Sequence, residues 1–226
     1  MRGGPVNLYL VRHGESDIPH DRVQDDYPLS ELGQEQARRV GERFRDVKLD
    51  HLITTPYQRT QQTAAQIAAA TGVEAAEEPG LGAILAGDLT TTLYSQRKQR
   101  FPEFFAQPNI SPAMDYSPFG GEGAQQFYER IAGSFVERVW EQHWRESITL
   151  AVVCHAETIN AILHHVLRMP YEGWMTFSID HTSVTMLDVR VGKPRVRYVN
   201  DTVHLGDLSR GHSGQYGGEA PKERPR

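Results

Sequence analysis

A single cysteine, Cys154, stands among 226 residues, so no internal disulfide forms and the chain suits a reducing compartment. Long apolar runs are also missing. The longest, such as Leu150 to Cys154, fall far short of the ~20 residues that span a bilayer. Met1 to Gly4 leads only into a short apolar strand, with no signal-peptide core, so a soluble cytoplasmic protein is expected. There is no excess of positive charge. Lysine and arginine number 24 against 29 aspartate and glutamate, a net charge of −5, which argues against a general nucleic-acid binder. Gly-x-Ser-x-Gly and the P-loop pattern are absent, and His155-Ala156-Glu157 lacks the Pro-Cys-x-x-Cys that zinc deaminases require.

Core-forming material is plentiful, at 38% hydrophobic and 23% charged residues. Length alone suggests ~1.5 domains of ~150 residues, hence one large domain with no need of disulfides or metal. Val6 to Arg12 is a strand-length apolar run. Ser30 is a plausible N-cap for an amphipathic helix from Glu31 to Arg45, with Leu32, Val40 and Phe44 on its apolar face. His51 to Thr54 and Val73 to Glu77 are short strand candidates. Between them, Arg59 to Thr71 is Ala-rich and stops at Gly72, as a helix would. Residues 79–123 hold five prolines and read as an excursion over the main body, with one short helical stretch near Leu93 to Arg100. A long helix follows from Ala124 to Arg145, then the apolar strand Thr149 to Cys154 and a helix from about Thr158. Thr182 to Val189 and Arg195 to Val199 would close the fold as a hairpin. From Ser209 the tail has little to bury and is read as flexible. The alternation predicts a three-layer α/β/α sandwich around a mostly parallel sheet, within 1–208, with residues 79–123 as an inserted cap.

Ligands of such sheets bind beyond the carboxyl ends of the strands. Arg12-His13-Gly14 lies there, and so does His155. A neutral imidazole near pH 7 is a nucleophile or base, and arginine offers fixed donors to phosphate or carboxylate. Arg59 opens a helix after a strand, where free amides also favour anions. Two arginines and two histidines at one sheet edge make a phosphoryl site.

The stretches Arg12-His13-Gly14-Glu15-Ser16, Pro28 to Ala37, Thr55-Pro56 with Arg59-Thr60 and Thr63-Ala64, Gly120-Gly121-Glu122, and Val152 to His155 occur in an order that resembles the histidine phosphatase superfamily, also called phosphoglycerate mutase-like. The resemblance spans most of residues 6–190. It implies a phosphatase that hydrolyses a phosphomonoester or other phosphorylated small molecule. His13 would be phosphorylated, Arg12, Arg59 and His155 would hold the phosphoryl oxygens, and no metal or organic cofactor would be needed. Gly14, Ser16, His20, Ala156 and His181 are the expected substrate contacts, although His181 also fits an ordinary loop histidine. The expected partner is a phosphorylated small molecule, with no nucleic acid and no membrane; a homodimer is left open.

Three departures from the family pattern matter. Pro19 stands where an asparagine is usual, leaving His20 to supply a replacement contact. Leu81-Gly82-Ala83 places alanine where many members carry a general-acid glutamate, a role typically worth about 10²–10⁴-fold in rate. Ala156 and Glu157 follow His155 where His-Gly is common. Glu157, Glu122 and Asp88 are therefore the candidate replacement acids. Alternatively, a substrate with a good leaving group needs none. The other functions kept open are a mutase-type phosphotransferase and a phosphate-ester-binding protein with little turnover. In the cap, Arg97, Lys98 and Arg100 with several aromatic residues would either face an anionic substrate or pack the cap. His164-His165 is read as structural or surface, since neighbours on a helix point apart.

Overall fold

The computed structural model describes residues 6–23, 25–105, 115–143, 147–173, 175–190 and 193–208. The flexible tail expected from Ser209, and the prolines at 108 and 112, lie outside the described residues.

Among the described residues, six strands and seven α-helices follow in chain order. They are β1 (Val6–Arg12), α1 (Glu31–Phe44), β2 (His51–Thr54), α2 (Gln58–Thr71), β3 (Ala75–Glu77), α3 (Arg97–Arg100), α4 (Pro102–Phe105), α5 (Ala124–Phe135), α6 (Glu141–His143), β4 (Ile148–Cys154), α7 (Ala156–Leu167), β5 (Val184–Arg190) and β6 (Lys193–Asp201). The long helix expected over 124–145 is interrupted: α5 widens into a π turn at Val136–Trp140 before α6. The sheet order is β3-β2-β4-β1-β5-β6. The first four strands are parallel and the last two join antiparallel, as the hairpin reading anticipated.

Helices lie on both faces, so the central strands are apolar throughout. On one side Val11, Leu52, Ala151 and Val153 pack with Val40, Phe44, Ala64 and Ile67 of α1 and α2. On the other, Leu8, Leu10, Ile53 and Val152 meet Phe127 and Ile131 of α5 and Ile159 and Ile162 of α7. Two helix ends follow from local chemistry. Ser30 Oγ accepts from Gly33 N at 3.0 Å to start α1, and Gly72, at φ 76°, ends α2 in the left-handed conformation.

Among the described residues, the segment between β3 and α5 carries short helical turns, α3 and α4 among them. It has its own small core, where Ala86, Leu89 and Phe119 pack with Phe101, Phe104 and Tyr116. Phe101 and Phe104 set their rings edge-on to Phe119, with centroids 4.9 and 4.7 Å apart. Most aromatics of this segment thus pack within it, whereas Tyr94 is exposed.

Candidate active site

Arg12 pairs with Cys154 across β1 and β4, so His13 and His155 leave adjacent strands at the same level. His13 N donates to Cys154 O at 3.0 Å, and the imidazole centroids of His13 and His155 stand 5.3 Å apart. His181 completes the group, its ring centroid 5.7 Å from that of His13. Residues far apart in the chain therefore converge at the carboxyl edge of the sheet.

The hydrogen bonds assign the tautomers. His13 Nδ1 donates to Gly14 O at 2.7 Å, which leaves Nε2 as a lone pair with no protein partner among the described residues. His155 Nδ1 accepts from Arg59 Nη2 at 3.3 Å, so its proton sits on Nε2 and goes to Thr55 Oγ1 at 3.0 Å. His181 Nε2 accepts from Arg12 Nη2 at 2.9 Å. An imidazole nitrogen that accepts from arginine carries no proton, so these rings are neutral. Electrostatics agree. Burial, then Arg59, His155, Arg12 and His181, holds His13 well below the ordinary histidine range. Burial, then Arg59, Arg12 and Arg130, does the same to His155, and burial with Arg12 to His181. His13 as a residue keeps 8% of its surface exposed.

Each arginine is fixed from behind. Arg12 Nη1 donates to Ile179 O at 2.6 Å. Arg59 Nη1 pairs with Asp26 Oδ1 at 3.1 Å, while Asp26 Oδ2 accepts from Gln58 N at 2.8 Å. The Arg59 guanidinium lies over the Tyr57 ring, 4.5 Å from its centroid, and that ring meets His155 edge-on at 4.9 Å. Asp26 and Tyr57 were not anticipated as site residues. Asp26 touches its partner only through the fold, whereas Tyr57 sits inside the Thr-Pro-x-x-Arg stretch that did carry a signal.

Gly14 and Gly33 explain why these residues are glycine. A Cβ at Gly33 would fall 2.0 Å from Glu15 O, and one at Gly14 would fall 2.6 Å from Gly33 O. The strand end and the first turn of α1 touch backbone to backbone, and Gly14 N donates to Thr63 Oγ1 at 3.1 Å. Ser16 bridges to Leu29 across the same loop. Ala156 is buried at the start of α7, whose N-terminal end follows His155 directly.

His20 is exposed in the loop after β1. Glu122 is unsuited to proton donation. Burial pushes its carboxyl up, but hydrogen bonds from Arg130 and from Leu85 N outweigh this and hold it low. Arg130 grips it at 2.7 Å through both Nε and Nη2. A carboxylate so held has no proton to give at neutral pH. Arg130 also donates to Gly80, Gly82 and Ala83 O, so the pair moors the loop where the usual acid is missing. Asp88 pairs with Arg100 at 3.3 Å. Glu157 is different. It is half-buried in the first turn of α7, has no ion pair among the described residues, and is within electrostatic reach of Tyr57 and Tyr116. His164 bonds Pro170 O and Thr176 Oγ1, a structural use. Among the described residues no cluster of three or more His, Cys, Asp or Glu would hold a metal, and no helix is long and apolar enough to cross a membrane.

The family model for the histidine phosphatase superfamily (branch 1) matches residues 8–202. The chain belongs to that superfamily. Phosphoserine phosphatase 1 of Hydrogenobacter thermophilus is 30% identical over 207 residues, covering 90% of this chain and 96% of that protein. The solved structure of Bacillus stearothermophilus YhfR superposes with a TM-score of 0.75 at 26% identity, covering 88% of this chain and 99% of its own. The alpha-ribazole phosphatase from Shigella flexneri, at 23% identity and a TM-score of 0.74, covers 86% and 96% respectively and shows the shared fold. Family and relatives together support an enzyme that hydrolyses phosphate esters.

Proposed function

We propose that the protein hydrolyses a small-molecule phosphate monoester through a phosphohistidine on His13. One observation carries the reading: His13 Nε2 is a free lone pair, with Arg12, Arg59 and His155 around it. Nε2 attacks phosphorus in line as the ester P–O bond breaks, and Arg12, Arg59 and His155 take the charge that develops on the non-bridging oxygens. The leaving alkoxide takes a proton from Glu157, the one candidate carboxylate that is not tied to an arginine. Water then attacks phosphorus, the N–P bond breaks, and inorganic phosphate departs with the imidazole restored. Gly14, Ser16, Ala156 and His181 line the phosphoryl site, and residues 79–123 act as its cap. The phosphoserine phosphatase relative supports a substrate of metabolite size.

Ala83 favours a second reading, a phosphate-ester-binding protein with little turnover. A phosphorylated aryl alcohol separates the two, because its leaving group needs little acid help. The wild type is expected to turn over 4-nitrophenyl phosphate, His13→Ala to abolish turnover, and an alkaline quench to trap phosphohistidine. Tight phosphate-ester binding without turnover would favour the second reading.

A further inference from the structure

Tyr57 is the N-cap residue of α2, yet its side chain caps nothing. Its ring instead joins the two sides of the pocket. The Arg59 guanidinium lies over the ring, 4.5 Å from the centroid, and His155 meets it edge-on at 4.9 Å. The phenol end reaches the loop after β3. A Cβ at Gly82 would come 3.2 Å from Tyr57 Cε2 and 3.9 Å from Oη, so the ring lies directly against that backbone. Arg130 holds this wall in place, donating to Gly82 O and Ala83 O at 3.3 and 3.0 Å. Ala83, the next residue, is buried and ends at Cβ, so it offers no competing polar group.

Packing accounts for the ring and not for the hydroxyl. A phenylalanine would serve Arg59 and His155 equally well. Tyr57 is half-buried, and its Oη has no hydrogen-bond partner among the described residues. Burial raises the phenol above the ordinary tyrosine value, with Arg59 and Arg130 opposing the rise and Glu157 adding to it. The group therefore keeps its proton at neutral pH and is available as a donor. The guanidinium and the imidazole also fix the ring before any substrate arrives, so a hydrogen bond from Oη costs little conformational entropy.

We propose that Tyr57 is a catalytic residue, its Oη–H donating a hydrogen bond to the leaving-group oxygen of the phosphate ester. The proposal rests on the phosphatase reading. Arg59 and His155, which flank the ring, take the non-bridging oxygens. A donor beside them and within electrostatic reach of Glu157 meets the ester oxygen. As the ester P–O bond breaks, its electron pair passes to that oxygen, which takes its proton from Glu157. Tyr57 keeps its own proton, and its hydrogen bond strengthens as negative charge grows on the oxygen.

A leaving-group series tests this. Tyr57→Phe keeps the ring and removes only the hydroxyl. Wild type and variant are compared on 4-nitrophenyl, phenyl and 4-methoxyphenyl phosphates and on glycerol 3-phosphate. The loss in kcat/KM should be least with 4-nitrophenyl phosphate and should grow as the leaving group becomes more basic. At the alkyl end it should reach about ten- to hundredfold, as for a hydrogen bond to a charged group. Since the hydroxyl has no protein partner, Tm should not change. Equal slowing along the series would make Tyr57 a support for Arg59 alone and overturn the proposal. No slowing, or a fall in Tm that assigned the hydroxyl to the fold, would overturn it too. Failure of the wild type to turn over 4-nitrophenyl phosphate would instead sink the phosphatase reading beneath it.

Discussion

Replacing Arg130 by methionine tests how the loop beside the pocket is held. Arg130 makes five hydrogen bonds, to both oxygens of Glu122 at 2.7 Å and to Gly80, Gly82 and Ala83 O at 2.9, 3.3 and 3.0 Å. Methionine keeps much of the aliphatic stem and loses them all. Breaking a buried ion pair by removing one partner costs about 3–5 kcal/mol. Here the side chains are 25% and 13% exposed, so solvent screening lowers the expectation to about 2–4 kcal/mol. At ~2–4 °C per kcal/mol for a chain of this size, Tm should fall by roughly 5–15 °C. Most of that cost is the stranded charge of Glu122, so adding Glu122→Met should recover part of it, with a coupling energy of about 1–3 kcal/mol. The pH dependence has a definite sign. The folded carboxyl of Glu122 is held low, so its stabilisation is complete above the unfolded value of ~4.3 and is lost as pH falls through the folded one. The penalty of Arg130→Met should thus be full at pH 7 and smaller near pH 4. Urea unfolding followed by circular dichroism measures each quantity. An unchanged Tm, or single-variant losses that simply add in the double variant, would refute the mooring role.

Glu157→Gln should slow alkyl phosphate hydrolysis far more than aryl phosphate hydrolysis, by up to about 10²–10⁴-fold; equal slowing would remove Glu157 as the acid. Asp26→Asn loosens Arg59 and should weaken inhibition by inorganic phosphate about tenfold, with KM rising in step; an unchanged inhibition constant would refute the positioning role. His13, His155 and His181 are buried and neutral, with folded values below ~6.5, so the unfolded chain binds more protons in acid. The stability they contribute is present above pH ~6.5 and is lost below it, by about 1.4 kcal/mol for each ring between pH 7.5 and 5.5. Urea midpoints that matched at the two pH values would contradict this.

The central sheet was legible because its strands are buried on both faces and read as unbroken apolar runs; β1 and β4 match their expected limits to within a residue. The bounds of α1 and α2 followed from Ser30 and Gly72, residues with a local reason to start or stop a helix. Arg12, His13, Arg59 and His155 were legible for a related reason, since each stands at the end of such an element. The misreadings involve contacts that no local pattern encodes. Glu122 looks like a free acid in a glycine-rich loop until α5 brings Arg130 against it. Asp26 carries no local signal, and its bond to Arg59 spans 33 positions. The π turn in α5 left no trace in the helical spacing.

Cys154 ends β4, fully enclosed and one residue before His155, and burial pushes its thiol well above the ordinary cysteine range. Alkylating or oxidising agents meet no thiolate in the native molecule. The sulfur becomes reactive only when β4 parts from its neighbours. Labelling of this lone atom therefore times the opening of the sheet beneath the nucleophile, without an engineered probe.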